Sequence, residues 1–208
     1  MTKSNTTRRY LVAGIAAATG GYLVASRAWA GQRTPGASEG PFYPAPSMRK
    51  PDTDNDLVRI EGQVEAAGGE VVILRGTVKS RLGAPLSGHR VEIWQCDVAG
   101  NYMHPSDPRS AAFDAAFQGF GHDITDADGA YVFRTIRPMP YPGRTPHIHV
   151  KVLDGDEERL TTQFYIAGEA ANTSDVLFGR MTPEQAAQVS MTFVPGPDVA
   201  EARVDIIV

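Results

Sequence analysis

The sequence predicts an all-β protein: a single β-sandwich with a few short helices and long loops. Three observations support that expectation. Short runs rich in β-branched and aromatic residues, such as Glu70–Ser80 (EVVILRGTVKS) and Tyr131–Ile136, are separated by turn signals. Glycine and proline are plentiful, 21 and 15 of 208 residues, which suits a turn-rich β chain better than a helical bundle. Only one segment carries a complete helix start, Thr182-Pro183-Glu184-Gln185, with an N-cap threonine, a proline at the first helical position and an early acid. That helix should be short and end near Val189.

Residues 1–30 stand apart as a leader. Thr7-Arg8-Arg9-Tyr10-Leu11 resembles a twin-arginine export signal, an apolar stretch runs from Leu11 to Ala25, and Ala28-Trp29-Ala30 is a small-x-small cleavage site. The apolar stretch is short and broken by Gly20 and Gly21, so it predicts no membrane span in the mature form. The expected address is periplasmic or secreted. Residues 31–56 are rich in Pro, Gly and Asp and should form an extended N-terminal segment packed on the domain; Pro41 and Pro44 in Glu39–Pro44 (EGPFYP) force a non-helical path. The sandwich domain should occupy residues 57–208. Its expected strands are Glu70–Ser80, Arg90–Cys96, Tyr131–Ile136, His147–Leu153, Leu160–Ile166 and a closing strand over Ala202–Val208. Arg81–Pro85 and Asp126–Gly129 are turns, and Ser106–Phe120 is ambiguous.

Charge and cysteine content narrow the function. The leader holds Lys3, Arg8, Arg9 and Arg27 and no acid, so of 20 basic residues 16 remain against 24 acidic ones, a net charge of −8. Nucleic acid and anionic membrane surfaces are poor partners for such a chain. Cys96 is the sole cysteine, which rules out an internal disulfide; in the apolar run VEIWQC it reads as a buried structural thiol.

The most informative residues are Tyr102, Tyr141, His147 and His149, in the phrases NYMHPSD and YPGRTPHIHVKV. His147 and His149 are separated by one residue on a strand and therefore point to the same face. Imidazole plus phenolate suits a hard, oxidised metal such as Fe(III) better than zinc or ferrous iron. A free tyrosine ionises only near pH ~10, but a bound cation stabilises the phenolate. Two tyrosinates and a hydroxide would cancel the three charges of ferric iron, and a neutral site is cheap to bury. Two neutral imidazoles add ligands without charge. His104 and His122 read as pocket or surface residues, and His89, beside a turn, as solvent-facing.

The phrases EGPFYP (39–44), GTV through GNY (76–102), FQGFGHDITDADGAYVFRTIRP (117–138), YPGRTPHIHVKV (141–152), LTTQFYI (160–166) and ARVDIIV (202–208) resemble the intradiol ring-cleavage dioxygenases, the protocatechuate 3,4-dioxygenase and catechol 1,2-dioxygenase group. The resemblance spans nearly all of the mature chain. It implies a β-sandwich with long loops around a non-haem Fe(III) site, and cleavage of a catechol-type aromatic ring by O2 between its two hydroxylated carbons to a muconate-type diacid. By the same resemblance Tyr102 and Tyr141 are the phenolate ligands, His147 and His149 the imidazole ligands, and Tyr141 the ligand that leaves when substrate arrives. Arg144 matches an arginine that stabilises negative charge on the substrate ring, and Gln163 a polar residue close to it. Residues 39–44 would line or cover the pocket. The chain lacks the long N-terminal helical region of the catechol 1,2-dioxygenase branch, which argues against an oligomer built through such helices while leaving a homo-oligomer possible. By the resemblance arginine is expected at the position of His122.

Two other readings compete. A non-catalytic transthyretin-like sandwich would share the strand and turn phrases but has no reason to keep the Tyr/His quartet. A ferrous enzyme with two histidines and a carboxylate would need Asp154 or Glu157 as a ligand, and neither sits in a convincing position.

Overall fold

The computed structural model describes residues 31–208; the leader expected over 1–30 lies outside the described residues. Two five-stranded sheets face each other. The first is ordered β10-β1-β9-β8, with β4 also on β1, where β1 is Val71–Lys79, β4 Ala130–Ile136, β8 Val194–Pro195, β9 Ala200–Arg203 and β10 Ile206–Ile207. The second is ordered β3-β2-β5-β6-β7, where β2 is Arg90–Trp94, β3 Phe120–Ile124, β5 His147–Asp154, β6 Glu157–Ile166 and β7 Ser190–Met191. Single helical turns at Pro46–Met48, Ser110–Ala112, Ala170–Ser174 and Phe178–Arg180, and the helix α1 (Pro183–Gln188), lie in the connections. Among the described residues no helix is long and apolar enough to cross a membrane.

The core forms where period-2 alternation turns one face of each sheet inward. Leu74 and Val78 of β1 and Tyr131 and Phe133 of β4 meet Val91 and Ile93 of β2, Ile148, Val150 and Val152 of β5 and Phe164 of β6, all buried. Each fully buried aliphatic or phenylalanine side chain here is worth roughly 1.5–3 kcal/mol. The second sheet is covered on its other face as well. His147, His149 and Lys151 alternate with the core residues of β5 and are also buried. The cover is the N-terminal segment. Ala37 N–H donates to the Thr161 carbonyl (2.9 Å), the Thr162 hydroxyl to the Pro35 carbonyl (2.7 Å), and Lys151 pairs with Glu39. The Tyr43 hydroxyl donates to Glu92 (2.7 Å), and the Lys151 ammonium lies over the Tyr43 ring.

Most expected elements are present. Thr182 and Gln185 form a capping box, with Gln185 N–H donating to the Thr182 hydroxyl (3.3 Å) and Thr182 N–H to the Gln185 side chain (3.0 Å). Asp126 accepts from the N–H groups of Asp128 and Ala130, which explains the DADG turn. Other elements differ from expectation. Strand β6 begins at Glu157, not Leu160, because Gly155, with φ +58°, opens a two-residue hairpin turn that pairs Asp154 with Glu157. The ambiguous stretch 106–120 is one helical turn and loop, followed by β3, which the pattern of FGHDI does not announce. His89 is buried, with Nδ1 3.2 Å from the Ser87 carbonyl, because the turn before β2 folds under Thr125.

The closing strand is two strands. Between β9 and β10 the Val204 carbonyl accepts the Tyr131 hydroxyl (2.6 Å), Val204 N–H donates to the Arg75 carbonyl (2.9 Å), and Asp205 accepts from Thr77 N–H (3.0 Å). Gly76 permits this, since a Cβ there would sit 1.8 Å from the Val204 carbonyl oxygen.

Asp175 fixes the loop after β6. Its buried carboxylate accepts from Leu177 N–H (2.9 Å), Phe178 N–H (3.0 Å), Thr145 N–H (3.1 Å) and Arg144 Nε (2.8 Å). Burial opposes ionisation, but the Arg144 guanidinium and the backbone donors outweigh it and hold this carboxyl at about 2.

Two predictions follow from this packing. Gly76→Ala should lower stability by roughly 2 kcal/mol or more, seen as a fall of about 4–8 °C in the thermal midpoint; an unchanged midpoint would contradict the close approach. Because the Asp175 pKa is depressed, its stabilisation is present above the ordinary carboxylate value of about 3.9 and lost as pH falls toward 2. Denaturant melts of wild type and Asp175→Asn should therefore differ by roughly 1–2 kcal/mol at pH 7 and converge between about pH 4 and 2. A gap independent of pH would show that the carboxylate charge is not its source.

Candidate metal centre

Strand β5 supplies two imidazoles to one spot. His147 and His149 sit on its outer face with ring centroids 4.7 Å apart and Nε2 atoms 3.2 Å apart. His147 Nδ1 lies 2.7 Å from the Thr145 carbonyl, so that nitrogen carries the proton and Nε2 presents its lone pair to the shared space. The His149 ring is held by stacking on Trp94 at 4.8 Å and 10°, its cross-strand partner on β2.

The tyrosines arrive on two loops. Tyr102 follows β2, and its backbone N–H donates to buried Asp107 (2.8 Å). Tyr141 precedes a tight turn closed by Arg144 N–H to the Tyr141 carbonyl (2.9 Å). Gly100 brings the two loops together: its φ is +79°, and a Cβ there would meet the Pro140 carbonyl oxygen at 2.6 Å. The two phenol rings stand edge-to-face with centroids 5.4 Å apart. Tyr141 is 5.4 Å from the His147 ring and Tyr102 is 6.1 Å from the His149 ring.

The donor set can be tested against a hard cation. Among the described residues, the Tyr102 hydroxyl and His149 Nδ1 are buried without any hydrogen-bond partner. An orphaned buried phenol is costly unless something takes its oxygen. Among the described residues no three His, Cys, Asp or Glu side chains converge, so the groups that meet the two histidines are the phenols. Burial pushes the Tyr102 phenol well above its ordinary range, with Cys96 and Tyr141 adding to the rise. Burial raises Tyr141 too, while Arg144 pulls it back. Burial and then Arg144 lower His147 to about 4, and burial, His147 and Arg144 hold His149 well below its usual value. The pocket therefore keeps its imidazoles neutral and ready to ligate. A trivalent cation among the phenols would reverse the cost of ionising them. These residues fit ferric iron.

Arg144 and Gln163 flank Tyr141. Arg144 Nη1 donates to the Tyr141 hydroxyl (3.3 Å), Nη2 to Gln163 Oε1 (2.6 Å) and Nε to Asp175 (2.8 Å). The far end of the Gln163 amide donates to the Ser38 carbonyl (3.0 Å), and Tyr165 hydroxyl donates to Gln163 Oε1 (2.9 Å). The 39–44 segment covers the phenols, with Phe42 stacked on Tyr102 at 4.5 Å and edge-on to Tyr141 at 5.9 Å. Gly40 passes close to His149, where a Cβ would lie 3.3 Å from Cε1.

The structure thus brings Tyr102, Tyr141, His147, His149, Arg144 and Gln163 into one site. His104 sits 6.0 Å from Phe42 with Nδ1 accepting from Ser106 N–H, and His122 lies on β3 opposite Glu92. Cys96 is buried, donates to the Met139 carbonyl, and has its thiol pushed up to about 12 by burial. Sequence reasoning passed over Trp94, Tyr165 and Asp175, which hold His149, Gln163 and Arg144. Only Asp175, an acid in a turn-forming NTSD phrase, carried a readable signal, and turn chemistry accounts for it equally well.

Comparison with known proteins places this arrangement in a family. A family model described as dioxygenase matches residues 38–208. The chain is 37% identical over 141 residues to a protocatechuate 3,4-dioxygenase beta chain from Burkholderia cepacia, covering 64% of this chain and 60% of that one. It is 32% identical over 154 residues to catechol 1,2-dioxygenase 1 of Acinetobacter lwoffii, covering 65% and 47%. The matched part therefore spans about half to three-fifths of those relatives' length. Among solved structures, the dioxygenase domain of a dioxygenase–carbohydrate-binding fusion from Streptomyces sp. SirexAA-E superposes with a TM-score of 0.64 at 33% identity, covering 85% of this chain and 98% of that one. An intradiol ring-cleavage dioxygenase from Tetranychus urticae shares the fold at 20% identity, with a TM-score of 0.65 and coverage of 85% and 94%. With a family model matched over residues 38–208 and sequence and fold both similar to its members, the chain belongs to the intradiol ring-cleavage dioxygenase family.

Proposed function

We propose that this protein is an exported enzyme that cleaves a catechol-type ring between its two hydroxylated carbons with O2, giving a muconate-type diacid, at Fe(III) held by Tyr102, Tyr141, His147 and His149. The observation that carries the proposal is the meeting of two phenols and two neutral imidazoles in a buried site where, among the described residues, the Tyr102 oxygen has no hydrogen-bond partner. In the reaction one carbon–carbon bond breaks and both oxygen atoms enter the product. Ferric iron, when bound there, would supply electron withdrawal from the catechol ring that makes it reactive toward O2.

The residues divide the remaining work. Tyr102 is buried and enclosed, whereas Tyr141 is partly exposed on a loop, so Tyr141 would be the phenolate able to accept a catechol proton. His147 and His149, neutral at pH 7, ligate without adding charge. The Arg144 guanidinium is permanently charged and stabilises negative charge on the ring. Gln163 holds one edge of that guanidinium. Phe42 and Trp94 exclude water from the phenols and imidazoles. Catechol-type substrate and O2 are the partners. The export route and any homo-oligomer belong to the same proposal, motivated by residues 1–30 and by family membership.

The test is the visible spectrum of purified, iron-loaded protein with the metal quantified, before and after adding catechol without O2. A broad phenolate-to-iron band at about one iron per chain, shifting when catechol binds, is the expected result. Protein that stays colourless after loading with iron would leave the non-catalytic sandwich as the better reading. Tyr141→Phe should keep the iron, shift the resting band and lower kcat by roughly 10–100-fold, since one phenolate and one proton acceptor are lost. Steady-state oxygen uptake checks it, and full activity with an unshifted band would remove Tyr141 from the ligand set.

A further inference from the structure

We propose that Asp175 is a positioning residue for Arg144, fixing the guanidinium so that its two remaining edges face the Tyr141 hydroxyl and the Gln163 carbonyl. This rests on the function proposed above and extends the site by a residue that makes no hydrogen bond to Tyr141, His147 or His149.

The geometry is a chain of fixed orientations. Three backbone N–H groups, of Thr145, Leu177 and Phe178, hold the Asp175 carboxylate, which is fully buried at its side chain. That carboxylate takes Arg144 Nε at 2.8 Å. A guanidinium is planar, so fixing Nε beside one acceptor sets the plane and the direction of both terminal nitrogens. Nη2 then meets Gln163 Oε1 at 2.6 Å and Nη1 the Tyr141 oxygen at 3.3 Å. The Gln163 amide cannot turn to follow a displaced arginine, because the Tyr165 hydroxyl and the Ser38 carbonyl hold its two ends. The asymmetry of the distances is informative. The contact to Tyr141 is the long one of the three. The short contacts to Asp175 and Gln163 hold the fork. Asp175 also supplies the counter-charge that lets a guanidinium sit at 14% side-chain exposure.

The experiment compares wild type, Asp175→Asn, Arg144→Gln and the double variant. In iron-free protein the Arg144 Nε–H resonance should be protected from exchange in the wild type, and that protection should fall roughly tenfold or more in Asp175→Asn. Unchanged protection would overturn the placement. In iron-loaded protein Asp175→Asn should retain the metal and the phenolate band, lower kcat by roughly 10–100-fold and move KM by less than about threefold. In the Arg144→Gln background the same change should move kcat by less than about threefold, because a residue acting only through Arg144 has nothing left to act on. Equal losses in both backgrounds would assign Asp175 a general structural role and overturn the proposal. If Asp175→Asn does not fold, Arg144→Lys carries the test. It keeps a charge beside Asp175 without the fork, and kcat within about threefold of wild type would overturn the proposal. The resonance measurement needs neither iron nor turnover. A wild type that fails to cleave catechol would therefore sink the enzymatic reading, while the placement of Asp175 is still decided by the guanidinium signal.

Discussion

Burial of β5 on both faces is the constraint on which the rest of the site depends. One face, Ile148, Val150 and Val152, belongs to the sandwich core. The other carries His147, His149 and Lys151, groups that no sheet buries without compensation. The N-terminal segment meets that cost by laying polar and aromatic groups over them: Glu39 pairs with Lys151, Tyr43 reaches Glu92, and Phe42 and Gly40 approach Tyr102 and His149. The same cover removes water from the imidazoles and phenols. Their protonation is then set by burial and by Arg144. A candidate metal site whose histidines are kept neutral is a consequence of that double burial.

The sandwich supplies rigidity, and the loops supply chemistry. Ladder pairing locks Trp94, His149 and Gln163 into one cross-strand row, and His147 beside Tyr165 in the next. The phenols come from two connections that approach each other at Gly100 and Pro140. The division matches what the proposed site asks of its two donor types. The imidazoles sit on a strand, whereas Tyr141 is partly exposed at a turn and Tyr102 is enclosed beneath Phe42.

Electrostatics ties the loops to the strands. A single guanidinium touches a metal-ligand candidate, a strand residue and a loop carboxylate, so the segment 170–178 is tied to the candidate site although it contributes no ligand candidate. Asn172 strengthens the same link, accepting from the Thr145 hydroxyl (2.8 Å) and donating to the Ile166 carbonyl (2.8 Å).

The sequence by itself determined the fold class and most strands, because period-2 alternation and glycine-marked turns are local properties. It also determined the candidate quartet, because His147 and His149 share a strand face by spacing alone and the phrases around Tyr102 and Tyr141 are distinctive. It could not show that ARVDIIV breaks into two strands, since the break depends on a tyrosine hydroxyl and a glycine from the first sheet. Nor could it show His89 as buried, or reveal the roles of Trp94, Tyr165 and Asp175, whose partners lie from two to more than fifty residues away. Tertiary structure decided those points for one physical reason: a buried polar group is defined by what satisfies it, and its partners are chosen by packing across the sheets.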